Sequence, residues 1–163
     1  MLGVGVLGKH VDLPSPNQNA AEFRPESDDV FGRIAGRYDL LCDLFSVFAH
    51  RLWKNHIARR VVQTPGVSVL DVASGTGDIP YRVLRMLDRH SANERKKILV
   101  SDLCPQMLAM AERKLGTGDP RIEYRQLNAH DLSGVASSSV DVYTISFGMK
   151  IMDRGRVLSE ARR

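Results

Sequence analysis

The stretch Val69-Leu70-Asp71-Val72-Ala73-Ser74-Gly75-Thr76-Gly77-Asp78 constrains the fold more than any other part of the chain. Val69, Leu70 and Val72 make an apolar strand that runs straight into a glycine turn. Gly75 and Gly77 let the backbone bend sharply and approach a ligand closely. The helix that follows offers its N-terminal N–H groups to that ligand.

The rest of the chain can be placed around this turn. Strand one covers about 67–72, and Ile79, Val83, Leu84 and Leu87 give the face of the helix after it. Arg89 to Lys97 is polar and charged, and is expected to be a solvated loop. Ile98, Leu99 and Val100 form strand two, which ends at Asp102. Pro105 suits the first turn of the next helix, Met107, Leu108, Ala111 and Leu115 give it an apolar stripe, and Gly116 can end it. Strand three covers about 122–126, strand four 140–146, and a last helix starts near Asp153. This alternation predicts an α/β fold, a mostly parallel sheet with helices on both faces.

Upstream, residues 1–26 are expected to be a flexible leader and 27–163 one domain. Ser27 can cap a helix in which Val30, Phe31, Ile34, Tyr38 and Leu41 recur at three- and four-residue spacing. Leu44, Phe45, Phe48, Leu52 and Trp53 continue the apolar content, while Arg51, Lys54, His56, Arg59 and Arg60 make the wet side basic. Plain packing on the sheet accounts for this segment. A sharper alternative makes Phe31, Tyr38 and Trp53 part of a lid over a pocket.

A hydrophobic content of 43% fits a globular chain, and no apolar run approaches the length of a membrane span. The net charge of +4 is too mild to call for nucleic acid, though compatible with an acidic membrane surface. Cys42 and Cys104 match no metal-ligand spacing and are expected to be free thiols.

Ligands of an open α/β sheet bind outside the carboxyl ends of its strands. Polar features fall at each of those ends here: Gly75-Thr76-Gly77, Asp102, Asn128 to Asp131, and Ser146 to Lys150. The turn is not G-x-G-x-x-G, and nothing resembles a P-loop lysine. S-adenosylmethionine therefore fits better than a dinucleotide or a nucleoside triphosphate. Backbone around Gly75, Thr76 and Gly77 can approach it, with the Thr76 hydroxyl on its amino-acid part. Asp102 can accept from both ribose hydroxyls, Asn128 can meet the adenine edge, and Ser146 lies where strand four meets the cofactor.

Three segments resemble the ubiquinone/menaquinone biosynthesis C-methyltransferases, a family of class I S-adenosylmethionine-dependent enzymes. They are Val30-Phe31 to Ala35 with Tyr38-Asp39 and His50-Arg51-Leu52-Trp53-Lys54, then Leu70 to Asp78, then Asp141 to Gly148. The resemblance covers about residues 30–163 and implies a Rossmann-like sheet of seven strands, of which this sequence supplies strands one to four, with an N-terminal helical segment. It implies methyl transfer from S-adenosylmethionine to a ring carbon of a lipophilic quinol, a polyprenyl benzoquinol or demethylmenaquinol. Its cofactor contacts map onto Thr76, Asp102, Asn128, Ala129 and Ser146. Tyr38 and Lys150 are the candidates for the substrate side, where a cation or polar group near a developing phenolate would help. The resemblance also brings expectations of peripheral membrane contact, a quinone-biosynthesis protein complex and a homodimer. Its mitochondrial branch implies the matrix side of the inner membrane, and its bacterial branch the cytoplasm.

This chain departs from the family at Ser74, which replaces a glycine, and at Lys150-Ile151, which replaces an arginine-asparagine pair. Lysine keeps the charge but loses the planar fork. Two further readings stay open: a catalytically impaired member that acts by binding a partner, and a methyltransferase for another small molecule.

Overall fold

A computed structural model describes residues 49–89 and 96–163. The expected leader, the first helix with Tyr38, and Cys42 lie outside the described residues. Helix α1 spans Ala49–Gln63, β1 Ser68–Val72, α2 Asp78–Leu87, β2 Lys97–Asp102, α3 Pro105–Leu115, β3 Ile122–Gln126, β4 Val142–Ile145 and α4 Arg154–Arg162. A short 3-10 turn at Gly148–Lys150 precedes α4.

The four strands lie in the order β3-β2-β1-β4, and every pairing is parallel. This is the doubly wound sheet that the alternating sequence predicts. β1 sits in the interior, with Leu70 opposite Leu99 on one side and Tyr143 on the other. Interior parallel strands are covered on both faces, which is why β1 is almost continuously buried.

Side chains alternate across the sheet, so β1, β2 and β4 each feed two cores. Val69, Ile98 and Val100 face one core with Ala58 and Val61 of α1, Val83 and Leu87 of α2, and Ala111 of α3. Leu70 and Val72 face the other, with Ala129, Leu132 and Val135 of the β3–β4 connection and Val157 of α4. Burying a side chain such as Val83 or Leu87 is worth roughly 1.5–3 kcal/mol. Helix α3 begins at Pro105 and ends against Gly116, whose φ of 82° suits glycine.

Three expectations need correction. Lys54 does not lie on the wet side of α1. It is 6% exposed, because positions 54, 58 and 61 share one helical stripe with Ala58 and Val61. Lys96 is not in a solvated loop either. Its ammonium is buried and donates to the carbonyls of Thr64 (2.8 Å) and Gly66 (2.9 Å). Strand four is shorter than expected, Val142–Ile145, so Ser146 belongs to the loop that follows.

A carboxylate also fixes the entry to β1. Asp141 accepts from the N–H groups of Val67 (2.7 Å) and Ser68 (2.8 Å), which hold it below the usual carboxylate range. A side chain at Gly66, where φ is 116°, would collide with Asp141.

Candidate functional site

The site forms at the carboxyl ends of β1, β2 and β4 and of β3, where the chain leaves the sheet at four adjacent points. At the end of β1 the backbone turns through positive φ at Ala73 (50°), Gly75 (56°) and Gly77 (76°). The two glycines do different work. A methyl group at Gly75 would have nothing within 4 Å, so this side of the turn faces open space. One at Gly77 would sit 3.0 Å from Leu115 and 3.1 Å from Ala111, so α3 needs that glycine in order to pack. Thr76 between them is buried.

Asp102 reaches this turn from the end of β2. Its Oδ2 accepts from the Gly75 N–H at 2.8 Å, and its Oδ1 from the Cys104 N–H at 2.9 Å. Burial pushes its carboxyl above the ordinary value, while these N–H groups hold it back. Each oxygen of a carboxylate can accept more than one hydrogen bond. Asp102 can still accept from a vicinal diol.

The loop after β3 supplies Asn128 and Ala129. Asn128 Oδ1 accepts from the His130 N–H at 2.9 Å, which leaves the amide nitrogen as the group able to donate outward. The Ala129 side chain is packed into the second core, so only its backbone can reach a ligand. Ser146 is half-buried just beyond β4. Beside it, a methyl group at Gly148 would lie 2.9 Å from Ala73 Cβ, so the post-β4 turn is seated directly on the glycine turn.

Lys150 is exposed, with its Nζ 5.4 Å from the centre of the Phe147 ring. Lys54 approaches the same ring to 5.9 Å from α1. The structure thus gathers Gly75, Asp102 and the post-β4 turn into one region. Tyr38 lies outside the described residues. Trp53 is 55% exposed and Leu52 71%, so neither packs into the sheet here.

Sequence reasoning missed the ionic group below this region. Asp78, in the first turn of α2, accepts from Lys54 Nζ at 2.6 Å and also from Lys114 Nζ. Burial alone would raise its carboxyl, but the two ammonium groups outweigh it and bring it down to about 2. The signal was available, since Lys54 falls on the apolar stripe of α1.

Asp71 was also passed over, although an acid in the middle of an apolar strand is itself a signal. It is fully buried, and Oδ1 accepts from Thr144 Oγ1 at 2.6 Å across the β1–β4 pair. Oδ2 has no hydrogen-bond partner among the described residues. Burial pushes this carboxyl up to about 7, so it carries its proton more readily than an ordinary aspartate. Among the described residues no cluster of His, Cys, Asp and Glu can hold a metal ion.

This geometry can be set beside known proteins. The ubiE/COQ5 methyltransferase family matches residues 18–163. The mitochondrial 2-methoxy-6-polyprenyl-1,4-benzoquinol methylase of Schizosaccharomyces pombe is 36% identical over 131 residues, covering 75% of this chain and 42% of that protein. The ubiquinone/menaquinone biosynthesis C-methyltransferase UbiE of Rhizobium meliloti is 37% identical over 148 residues, covering 87% of this chain and 55% of that protein. The chain therefore spans about half the length of these curated relatives. Among solved structures, the trans-methyltransferase CalH in complex with SAH matches with a TM-score of 0.52 at 22% identity, covering 68% of this chain and 31% of that one. That likeness concerns the fold, a Rossmann-like methyltransferase sheet.

Proposed function

We propose that this chain, which belongs to the ubiE/COQ5 methyltransferase family, binds S-adenosylmethionine at the ends of β1 to β4 and takes part in C-methylation of a polyprenyl benzoquinol or demethylmenaquinol. The observation that carries the reading is the Gly75–Asp102 contact beside an open turn. It sets a carboxylate against a backbone that a ligand can approach.

The residues present fit the cofactor. Asp102 would take the ribose hydroxyls, the Asn128 amide the adenine edge, and the backbone at Gly75 to Gly77 with Thr76 the amino-acid part. The Ala129 backbone and Ser146 complete the lining. When bound, the cofactor supplies a methyl group made electrophilic by a cationic sulfur. The chain's own contribution is to orient that methyl against the acceptor, which removes much of the entropic part of the barrier. A quinol carbon becomes nucleophilic as its hydroxyl loses a proton. Lys150, exposed beside Phe147, is the described cation we assign to the developing phenolate. Tyr38 remains our second candidate on that side.

Relatives named as mitochondrial support a mitochondrial setting, and we place the chain at the matrix side of the inner membrane, in contact with a lipid-soluble substrate. A bacterial cytoplasm is the alternative setting. A quinone-biosynthesis complex and a homodimer belong to the same proposal. A second reading, partner binding by an impaired member, draws on Lys150-Ile151, with Ile151 50% exposed beside the outer strand β4.

Calorimetric titration of the purified chain with S-adenosylmethionine tests the first reading, and binding in the micromolar range is expected. No heat of binding would refute the cofactor site and leave the partner reading. Restoration of quinone in cells lacking the family enzyme tests the acceptor.

A further inference from the structure

We infer that His130 is a positioning residue for the adenine side of the site: its imidazole ties the Asn128-Ala129 loop to the start of α4. The inference rests on the reading that this site binds S-adenosylmethionine. His130 lies two residues past Asn128 and donates its backbone N–H to Asn128 Oδ1 at 2.9 Å. Its ring does something else. Nε2 accepts from the backbone N–H of Asp153 at 3.0 Å. Asp153 is the cap of α4, its carboxylate accepting from the Arg156 N–H at 3.1 Å.

The connection from β3 to β4 is long and contains no helix or strand of its own, so its shape depends on what it is fastened to. α4 and the residues that cap it fasten it at several points. Glu160 Oε2 accepts from the Leu132 N–H at 2.9 Å, and Arg163 Nη1 donates to the Val135 carbonyl at 2.8 Å. Those two hold the far part of the loop. The His130 ring holds the part next to Asn128, and it is the tie that reaches the start of α4, three residues past Lys150. One side chain thus links the adenine corner to the segment carrying the substrate-side cation.

The contact demands an acceptor. A ring nitrogen that accepts a hydrogen bond offers its lone pair to the donor. Apolar bulk of the same size would fill the space without holding the Asp153 N–H. That difference separates a positioning role from simple packing.

The test uses the full chain with His130→Leu and His130→Gln. Leucine offers volume without an acceptor, and glutamine offers an amide oxygen. S-adenosylmethionine affinity is read by calorimetry, and exchange of the Asp153 amide by NMR on the ligand-free chain. His130→Leu should weaken binding roughly tenfold and speed exchange at Asp153, the consequence of a donor left without its partner. His130→Gln should bring affinity back to within about threefold of the wild type and restore protection. The inference is overturned if His130→Leu binds as tightly as the wild type, or if glutamine restores neither readout. Failure of the wild type to bind the cofactor would instead overturn the site reading. Amide protection at Asp153 would then decide the tie on its own.

Discussion

The Lys54–Asp78–Lys114 group gives a prediction whose size can be worked from the structure. Asp78 opens α2 directly after the glycine turn, and Lys54 reaches it from α1 at 2.6 Å. The two lysines draw its carboxyl from 3.8 down to about 2. That is just under two pH units, and at about 1.36 kcal/mol per unit it amounts to roughly 2.4 kcal/mol. The Asp78 side chain keeps 17% of its exposure, so solvent screening trims the value to about 1–2 kcal/mol. Asp78→Asn also leaves the buried Lys54 ammonium against a neutral amide, and removing one partner from a buried pair is costly. The expected total is about 2–3 kcal/mol near neutral pH. Lys54→Met should cost less, about 1 kcal/mol or below, because Asp78 keeps Lys114 and methionine fills the same channel. The pH dependence has a definite sign. A depressed carboxyl contributes stability above its unfolded value, and that contribution is lost as pH falls from 3.8 toward about 2. Urea denaturation of wild type and both variants across this range is the assay. The reasoning is refuted if Lys54→Met is the more damaging change, or if the Asp78→Asn deficit stays constant down to acid pH.

Four further outcomes are expected. Asp71 sits raised at about 7, so it favours folding below about pH 4 and progressively less as pH rises through 7. Asp71→Asn keeps a partner for Thr144 and should flatten the fall in urea midpoint between about pH 5 and pH 8; an unchanged fall would exclude Asp71 as its source. Gly77→Ala should cost roughly 2–3 kcal/mol in stability, from positive φ together with crowding by Leu115 and Ala111. Gly75→Ala should cost only about 1–2 kcal/mol yet weaken S-adenosylmethionine binding more than any stability loss explains, measured by thermal shift and calorimetry on the same samples. Lys150→Ala should lower the rate of quinol methylation about tenfold or more while leaving cofactor affinity within about twofold, and Lys150→Arg should keep most of the rate. Equal rates for all three would remove Lys150 from the chemistry.

What the sequence determined by itself is the order and direction of the elements. Apolar runs at 69–72 and 98–100, the 3.6-residue stripes of α2 and α3, Pro105 and Gly116 are local signals, and the structure follows them closely. The parallel sheet follows as well, because helical crossovers leave few other arrangements. The strand-end rule likewise brought Gly75 and Asp102 to one place before their contact could be seen. Tertiary structure decided the partners of charged groups. Lysine at 54 suggests solvent by its type, but the stripe it occupies buries it, and only the fold brought it to Asp78, which Lys114 of α3 also reaches. Lys96 could not be foreseen from its neighbours, since the carbonyls it holds are 30 and 32 residues away. The His130 ring and the Asp153 N–H are likewise 23 residues apart. Periodicity is written in adjacent residues, whereas a buried charge or an orphan N–H is satisfied by whatever the fold carries to it. The glycine turn could therefore be recognised in the sequence, and the groups that hold it in place could be identified only once the chain had folded.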